Sequence, residues 1–298
     1  MSAATTGART RGRSPRGRFL REAVRTYLRH RLATFGTIYL LIVLVAIIAH
    51  PWLGLPDPNR TALVNQFLPA GSPGHLLGTD ENGRDVLSRL ISGARISFAV
   101  GFAGAALTVL IASVVGVVSG FFGGAVDQVI MRFTDGFMAI PTFFLLMIVV
   151  SIWGSSFTVL VLALALTRWM GVARLVRAEV LRFKESEFVT AARALGASNV
   201  RLMAVHLLPQ AAPSLIIATS LNVGIVMLIE AGLSFLGLGI LPPTASWGNM
   251  LSASQNYMWI APHLAVYPGV LILLAVLAFN AIGDVLRDIL DPRHRSHT

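Results

Sequence analysis

Side chains able to do chemistry are few in this 298-residue chain, and they do not converge. There is no cysteine, which excludes a disulfide framework, a thiolate zinc site and a cysteine nucleophile. The seven histidines are scattered. None has the H-E-x-x-H spacing that sets two imidazoles on one helix face around zinc. Lys184 is the only lysine, and it lies in "RFKES", away from any glycine-rich turn. The chain therefore lacks a Walker-type phosphate loop and does not hydrolyse nucleotide through one. "GTDENGRD" (78–85) alternates Gly, Asp and Asn like a calcium loop, but the chain enters apolar helix where the loop's closing glutamate belongs. An external turn that caps the following helix is the better reading.

The remaining polar stretch is "EFVTAARALGASNVRLMAVHLLP" (187–209), whose chemistry is contact rather than catalysis. Phe188, Ala191, Ala192 and Leu195 fall at i, i+3, i+4 and i+7, a shallow apolar stripe on one helix face. Gly196 is free to take positive φ and end that helix. Ser198 can cap a second helix, whose own stripe is Val200, Met203, Ala204 and Leu207, and Pro209 stops it. Two short amphipathic helices joined by a glycine turn fit three uses. They could lie on a bilayer as an interfacial hairpin, read DNA as a helix–turn–helix, or dock on a soluble partner. Tethering at both ends by apolar runs argues against DNA.

Those runs set the frame. The chain is 55% hydrophobic and 13% charged, with a mean hydropathy of +0.71. Too few charges remain to cover a soluble globule of this size, so the class is an all-α integral membrane protein. The net charge is +10, and nine arginines lie between Arg9 and Arg31 against Glu22 alone. A flank that obeys the positive-inside rule and touches anionic lipid accounts for them better than a nucleic-acid tail.

The segments follow in order. Residues 1–18 read as disordered and 19–31 as a basic surface helix. Residues 32–50 form a first span, too long and without the cleavage pattern for a signal peptide. Residues 51–96 form an external loop, with an amphipathic helix at 84–95 that turns Val86, Leu87, Leu90, Ile91 and Ala94 to one side. Further spans are expected at 97–120, 137–153, 156–170, 214–238 and 264–284, making a five-span core over 97–284. The second carries Gly116-x-x-x-Gly120, a spacing that lets helices approach closely. The polar insert fills 171–213, between spans four and five, and 285–298 is a tail. Six spans put both termini on one side. The basic N-terminus makes that side cytoplasmic, together with the insert's Arg174, Arg177, Arg182, Lys184, Arg193 and Arg201. Arg60, Arg84, Arg89 and Arg95 on the external side run against this count, partly balanced by Asp57, Asp80, Glu81 and Asp85.

Residues 187–209 resemble the EAA loop of ABC-importer permeases, with Thr190, Ala191, Ala192, Gly196 and Pro209 at the motif positions. Thr190 stands where the family usually has glutamate, and Glu187 lies one turn upstream. Residues 75–97, 122–141, 230–251 and 268–293 resemble, in the same order, blocks of the dipeptide/oligopeptide/nickel branch. The match is to the second of its two permease subunits. The resemblance implies a pathway shared with a second permease subunit, two cytoplasmic ATPases that receive the EAA helices, and an external binding protein. It also implies residence in the inner membrane of a bacterium or archaeon, with ATP used by the partners and no cofactor or metal held by this chain.

Within the bilayer, Glu230 is the main charged candidate. Its alternatives are contact with cargo, a hydrogen-bonded position at a subunit interface, or a position near the outer end of the span. Asn222 and Asn280 are expected to hydrogen-bond between helices, and Asp284, Asp288 and Asp291 to be solvated or paired with Arg287 and Arg293. A self-sufficient secondary transporter would carry more intramembrane charge or broken helices in matched halves. A membrane enzyme would need a nucleophile–base set, and none is visible. Dipeptides, longer peptides, nickel chelates, sugars and opines all remain open as cargo.

Overall fold

A computed structural model describes residues 15–290. The expected disorder of 1–18 and the pairing of Asp291 and Arg293 fall wholly or partly outside them. Among the described residues the fold is helical. Five helices are long and apolar enough to cross a membrane, or six if one bent pair counts as a span.

Helix α1 (Pro15–Arg29) precedes α2 (Arg31–Ala49), the first span. Residues 50–85 form an ordered cap over the start of α3. The amphipathic helix and second span expected at 84–95 and 97–120 are one helix, α3 (Val86–Phe122). Nothing in "GARIS" breaks the period, since a lone glycine inside a helix costs only about 1 kcal/mol. The third span is instead a broken pair, α4 (Gly124–Met138) and α5 (Thr142–Trp153), bent by 84°. Pro141 has no N–H to continue the first ladder and serves as N-cap of the second helix.

Helix α6 (Phe157–Phe183) runs well past the expected end at 170, so the polar insert is shorter than 171–213. It holds α7 (Glu187–Ala194) and the single turn α8 (Asn199–Arg201). A π-helical turn, Leu202–Leu207, then leads straight into α9 (Leu208–Phe235). Pro209 therefore does not stop a helix. Pro209 lies just after the π turn, inside the continuous run, and the widened turn accommodates its missing N–H. Residues 199–235 form one 37-residue helical run. After it come α10 (Trp247–Ser254), unforeseen in the sequence, and α11 (His263–Leu290).

Close backbone approach organises the bundle. Helices α3 and α6 lie side by side in the same direction, since Gly104 meets Leu164, Gly116 meets Ala173 and Val176, and Gly120 meets Val180. A Cβ on Gly116 would come within 2.5 Å of the Ala173 carbonyl oxygen and 2.7 Å of Val176 Cβ, so the small-residue spacing does the work foreseen for it. Helix α9 runs back against α3, α11 back against α9, and α2 back against α11, where Gly36 meets Ala278. Two ends result. At one lie residues 50–85, α10 and the end of α9. At the other lie α7, the end of α6, and Ala33 of α2 packed on Ala281 and Val285 of α11.

Gly116→Ala is expected to cost about 1–3 kcal/mol through forced overpacking. Gly269→Ala, where a Cβ meets nothing within 4 Å, is expected to be silent. Thermal-unfolding midpoints in detergent check the pair.

Candidate functional site: a docking elbow and two buried polar knots

The elbow is built by capping. Ser186 stands at the N-cap of α7, and Glu187 in the first turn sets a carboxylate against the positive helix end. At the far end Gly196 has φ +84°. Its N–H donates to the Arg193 carbonyl at 3.0 Å, and the Ala197 N–H donates to the Ala192 carbonyl at 3.1 Å. These two bonds form a Schellman closure, which needs a left-handed residue where glycine stands. The Ser198 hydroxyl then accepts from Arg201 N–H at 3.4 Å, starting the next turn.

The two sequence stripes divide. Val189, Leu202 and Leu207 are buried against α6, with Ala192 and Met203 packed on them. Phe188, Ala191, Leu195, Val200 and Ala204 face outward, Leu195 at 90% exposure. Thr190 is exposed, and its hydroxyl donates to the Ser186 carbonyl at 3.2 Å. The shallow stripe is thus a protruding apolar knob backed by a packed floor. Pro209 is exposed at the start of α9 and stands apart from the knob.

Beside the elbow, α4 is held to α6 by two ion pairs. Arg177 Nη2 lies 2.5 Å from Asp127 Oδ2, and Arg174 pairs with Asp135. Glu179 Oε1 accepts from the Ser214 hydroxyl at 2.8 Å, tying α6 to α9.

At the opposite end, Glu230 is fully buried within α9. Ser234 Oγ donates to its Oε1 at 2.7 Å and Ser97 Oγ to its Oε2 at 3.3 Å. Both hydroxyls also accept backbone donors, from Ile240 N–H at 3.1 Å and Trp247 N–H at 3.2 Å. Trp247 Nε1 donates to the Leu90 carbonyl at 2.9 Å. Among the earlier alternatives, Glu230 is therefore hydrogen-bonded near the end of its span, joining α3, α9 and α10 within this chain. Helix α10 carries a signal that sequence reading passed over. Ser246 and Asn249 form a capping box, with the Asn249 N–H donating to Ser246 Oγ at 3.2 Å and the Ser246 N–H to Asn249 Oδ1 at 3.0 Å.

A second knot pairs two of the four arginines that ran against the charge count, Arg84 and Arg89. Arg84 Nε is 2.7 Å from Asp80 Oδ2 and Arg84 Nη2 is 2.7 Å from Glu81 Oε1, while Arg89 Nε approaches Asp80 Oδ2 at 3.4 Å. Arg89 Nη1 also donates to the Pro58 carbonyl at 3.0 Å. Asp85 caps α3 by accepting from Ser88 N–H at 2.7 Å, as the turn reading of 78–85 expects.

Asn222 does not bond between helices. Its Nδ2 donates to the Ala218 carbonyl of its own helix at 2.9 Å. Asn280 makes no side-chain hydrogen bond among the described residues, and Asp284, Arg287 and Asp288 are exposed. Arg168 was overlooked in "LTRWMG", so Glu230 is not the sole charge at membrane depth.

The described residues thus form a multi-helix membrane bundle with an exposed apolar elbow at one end and a closed polar cap at the other. Residues 112–296 match the family described as binding-protein-dependent transport system inner membrane component, and the chain belongs to that family. It is a multi-pass inner-membrane permease subunit of an ABC importer. The chain is 40% identical to the nickel transport system permease protein NikC of Escherichia coli (strain K12), over 85% of this chain and 90% of that one. It is 40% identical to the dipeptide transport system permease protein DppC of Haemophilus influenzae, over 90% and 92%. Against the oligopeptide transport system permease protein OppC of Bacillus subtilis (strain 168) the identity is 35%, over 92% and 90%. The fold resembles a chain of the MetNI methionine ABC transporter in an inward-facing conformation. That match has a TM-score of 0.55 and 19% identity, covering 68% of this chain and 96% of that one.

Arg84→Ala leaves Asp80 and Glu81 without their main cationic partner in a buried setting, and is expected to cost about 3 kcal/mol. A lowered unfolding midpoint together with faster proteolysis within 50–85 checks this.

Proposed function

We propose that this chain forms one half of the translocation pathway of a peptide importer and receives force from cytoplasmic ATPases through the Glu187–Pro209 elbow. The observation that carries the proposal is the knob of Phe188, Ala191 and Leu195, exposed on a helix whose other face is packed on the bundle. An apolar protrusion beside a membrane is matched by a cleft on a soluble protein. Force passes only through an element rigid enough to bear on both sides. The Schellman closure at Gly196 and the floor of Val189, Leu202 and Leu207 supply that rigidity. Glu187 offers a carboxylate one turn from Thr190, the position at which the EAA-loop resemblance implies a glutamate.

Orientation follows from charge. The end bearing α7 also carries Arg21, Arg25, Arg29, Arg182, Lys184, Arg193, Arg201 and Arg287, which makes it cytoplasmic and puts both termini there. Residues 50–85 then face outward and meet the binding protein. A second permease subunit completes the pathway and a pair of ATPases lies beneath. The chain itself performs no catalysis and needs no cofactor. Peptides are favoured as cargo because dipeptide, oligopeptide and glutathione permeases recur among the relatives. Nickel chelates form the second reading, carried by a nickel permease equally similar at 40%.

Leu195→Asp, at an exposed site, is expected to leave the unfolding midpoint unchanged while cutting ATPase co-purification at least about tenfold. Gly196→Val forces a β-branched residue to positive φ, costs about 1–2 kcal/mol locally, and is expected to weaken the same association with the protein still in the membrane. Wild-type ATPase ratios and intact uptake in both variants would refute the coupling role. Isolating the cognate binding protein and measuring its ligand tests the cargo.

A further inference from the structure

Arg168 lies 11 residues past the start of α6 and 15 before its end. At about 1.5 Å per residue it sits roughly midway across a membrane. Its Nε is buried and has no hydrogen-bond partner among the described residues. A cation at that depth is costly and needs an anion or water. Nearby carboxylates are taken: Asp135 pairs with Arg174, Asp127 with Arg177, and Glu179 accepts from Ser214.

The surroundings indicate what Arg168 faces. Trp169, Met170, Val172, Ala173 and Val176 turn into the core against α3 and the elbow floor. Arg168 and Gly171 lie at the edge of that core face, about 60° apart round α6. Arg174, about 120° round the helix from Arg168, pairs with Asp135 of α4. A Cβ on Gly171 would meet nothing within 4 Å, so the surface beside Arg168 is open. Four residues beyond Asp135, α4 breaks, and Met138, Ala139, Ile140 and Pro141 are all exposed. Irregular backbone at membrane depth is tolerated only against protein or a water-filled passage. The open surface at Gly171 thus adjoins a guanidinium that has no partner among the described residues.

We propose that Arg168 is the anion-recognition residue of the translocation pathway, holding a carboxylate of the cargo midway across the membrane. A guanidinium meets a carboxylate through two parallel N–H···O bonds, and every unmodified peptide carries a carboxylate at its C-terminus. The proposal rests on the reading of this chain as half of a peptide pathway.

The chain has no cysteine, so Gly171→Cys adds a single thiol one turn from Arg168, where space exists. The complete transporter is reconstituted in liposomes. Labelling of this chain is timed with a sulfonate-bearing and a trimethylammonium-bearing methanethiosulfonate. The anion-to-cation rate ratio is expected to fall at least about tenfold when Arg168→Gln is added, and to be kept by Arg168→Lys, since the effect is one of charge at short range. Import of dialanine, delivered by the binding protein, is expected to fall about tenfold in Arg168→Gln with the subunits still associated. An unlabelled thiol, an unchanged ratio, or loss of the second permease subunit from the Arg168→Gln complex overturns the proposal. That last result would assign Arg168 to subunit pairing. If the wild-type complex fails to import dialanine while the ratio still responds, the peptide reading falls and the anion site stands.

Discussion

The seam between α3 and α6 is the contact on which the rest of the bundle depends. In lipid there is no hydrophobic gain from bringing two apolar helices together, so association needs close surfaces and many dispersion contacts. Gly104, Gly116 and Gly120 supply the surface, and Leu164, Val176 and Val180 fill it. The seam fixes two other things at once. Where α3 begins, the cap of residues 50–85 is anchored through Asp85 and Arg89. Where α6 ends, the chain is handed to the elbow over a floor already packed against α3.

Polar groups follow a second constraint, and they divide by whether this chain satisfies them. Glu230 is enclosed by two serine hydroxyls that are themselves held by backbone donors. Asp80 and Glu81 are enclosed by Arg84. Both knots sit at the end away from the elbow and make that end a rigid unit. The side of α6 toward α4 is different. Its pairs at Arg174 and Arg177 are partly open and the neighbouring span is broken, while Arg168, further round α6, has no partner among the described residues. A molecule finished at one end and unfinished along one side fits a subunit that works beside another.

Much of this was legible in sequence. Composition fixed the class, and the apolar runs located every span to within a few residues at one boundary or the other. Gly116, Gly120 and Gly196 announced their roles because a missing Cβ leaves few alternatives. Errors arose where a local signal was outweighed by continuity. Pro209 reads as a stop, yet a π turn absorbs its cost. Residues 84–95 read as a surface helix, yet nothing interrupts the ladder into the span. The stripe of the second elbow helix assumed 3.6 residues per turn, and the wider turn at 202–207 rotates Val200 and Ala204 outward while Leu202 and Leu207 turn in. Trp247 and α10 were missed because their signal, a Ser-x-x-Asn box, is short and lies among prolines. Arg168 was missed because one cation hardly changes a hydropathy average.

The unbroken run from Asn199 to Phe235 has a mechanical corollary. At about 1.5 Å per residue it is a strut of roughly 55 Å, reaching from the elbow to the enclosed glutamate near the opposite end of the bundle. Bending is cheapest at its π turn and at Pro213, both close to where the motor would push. A small tilt imposed there arrives at the distant end as a larger sideways swing, so inner and outer openings would be geared together with no messenger in between.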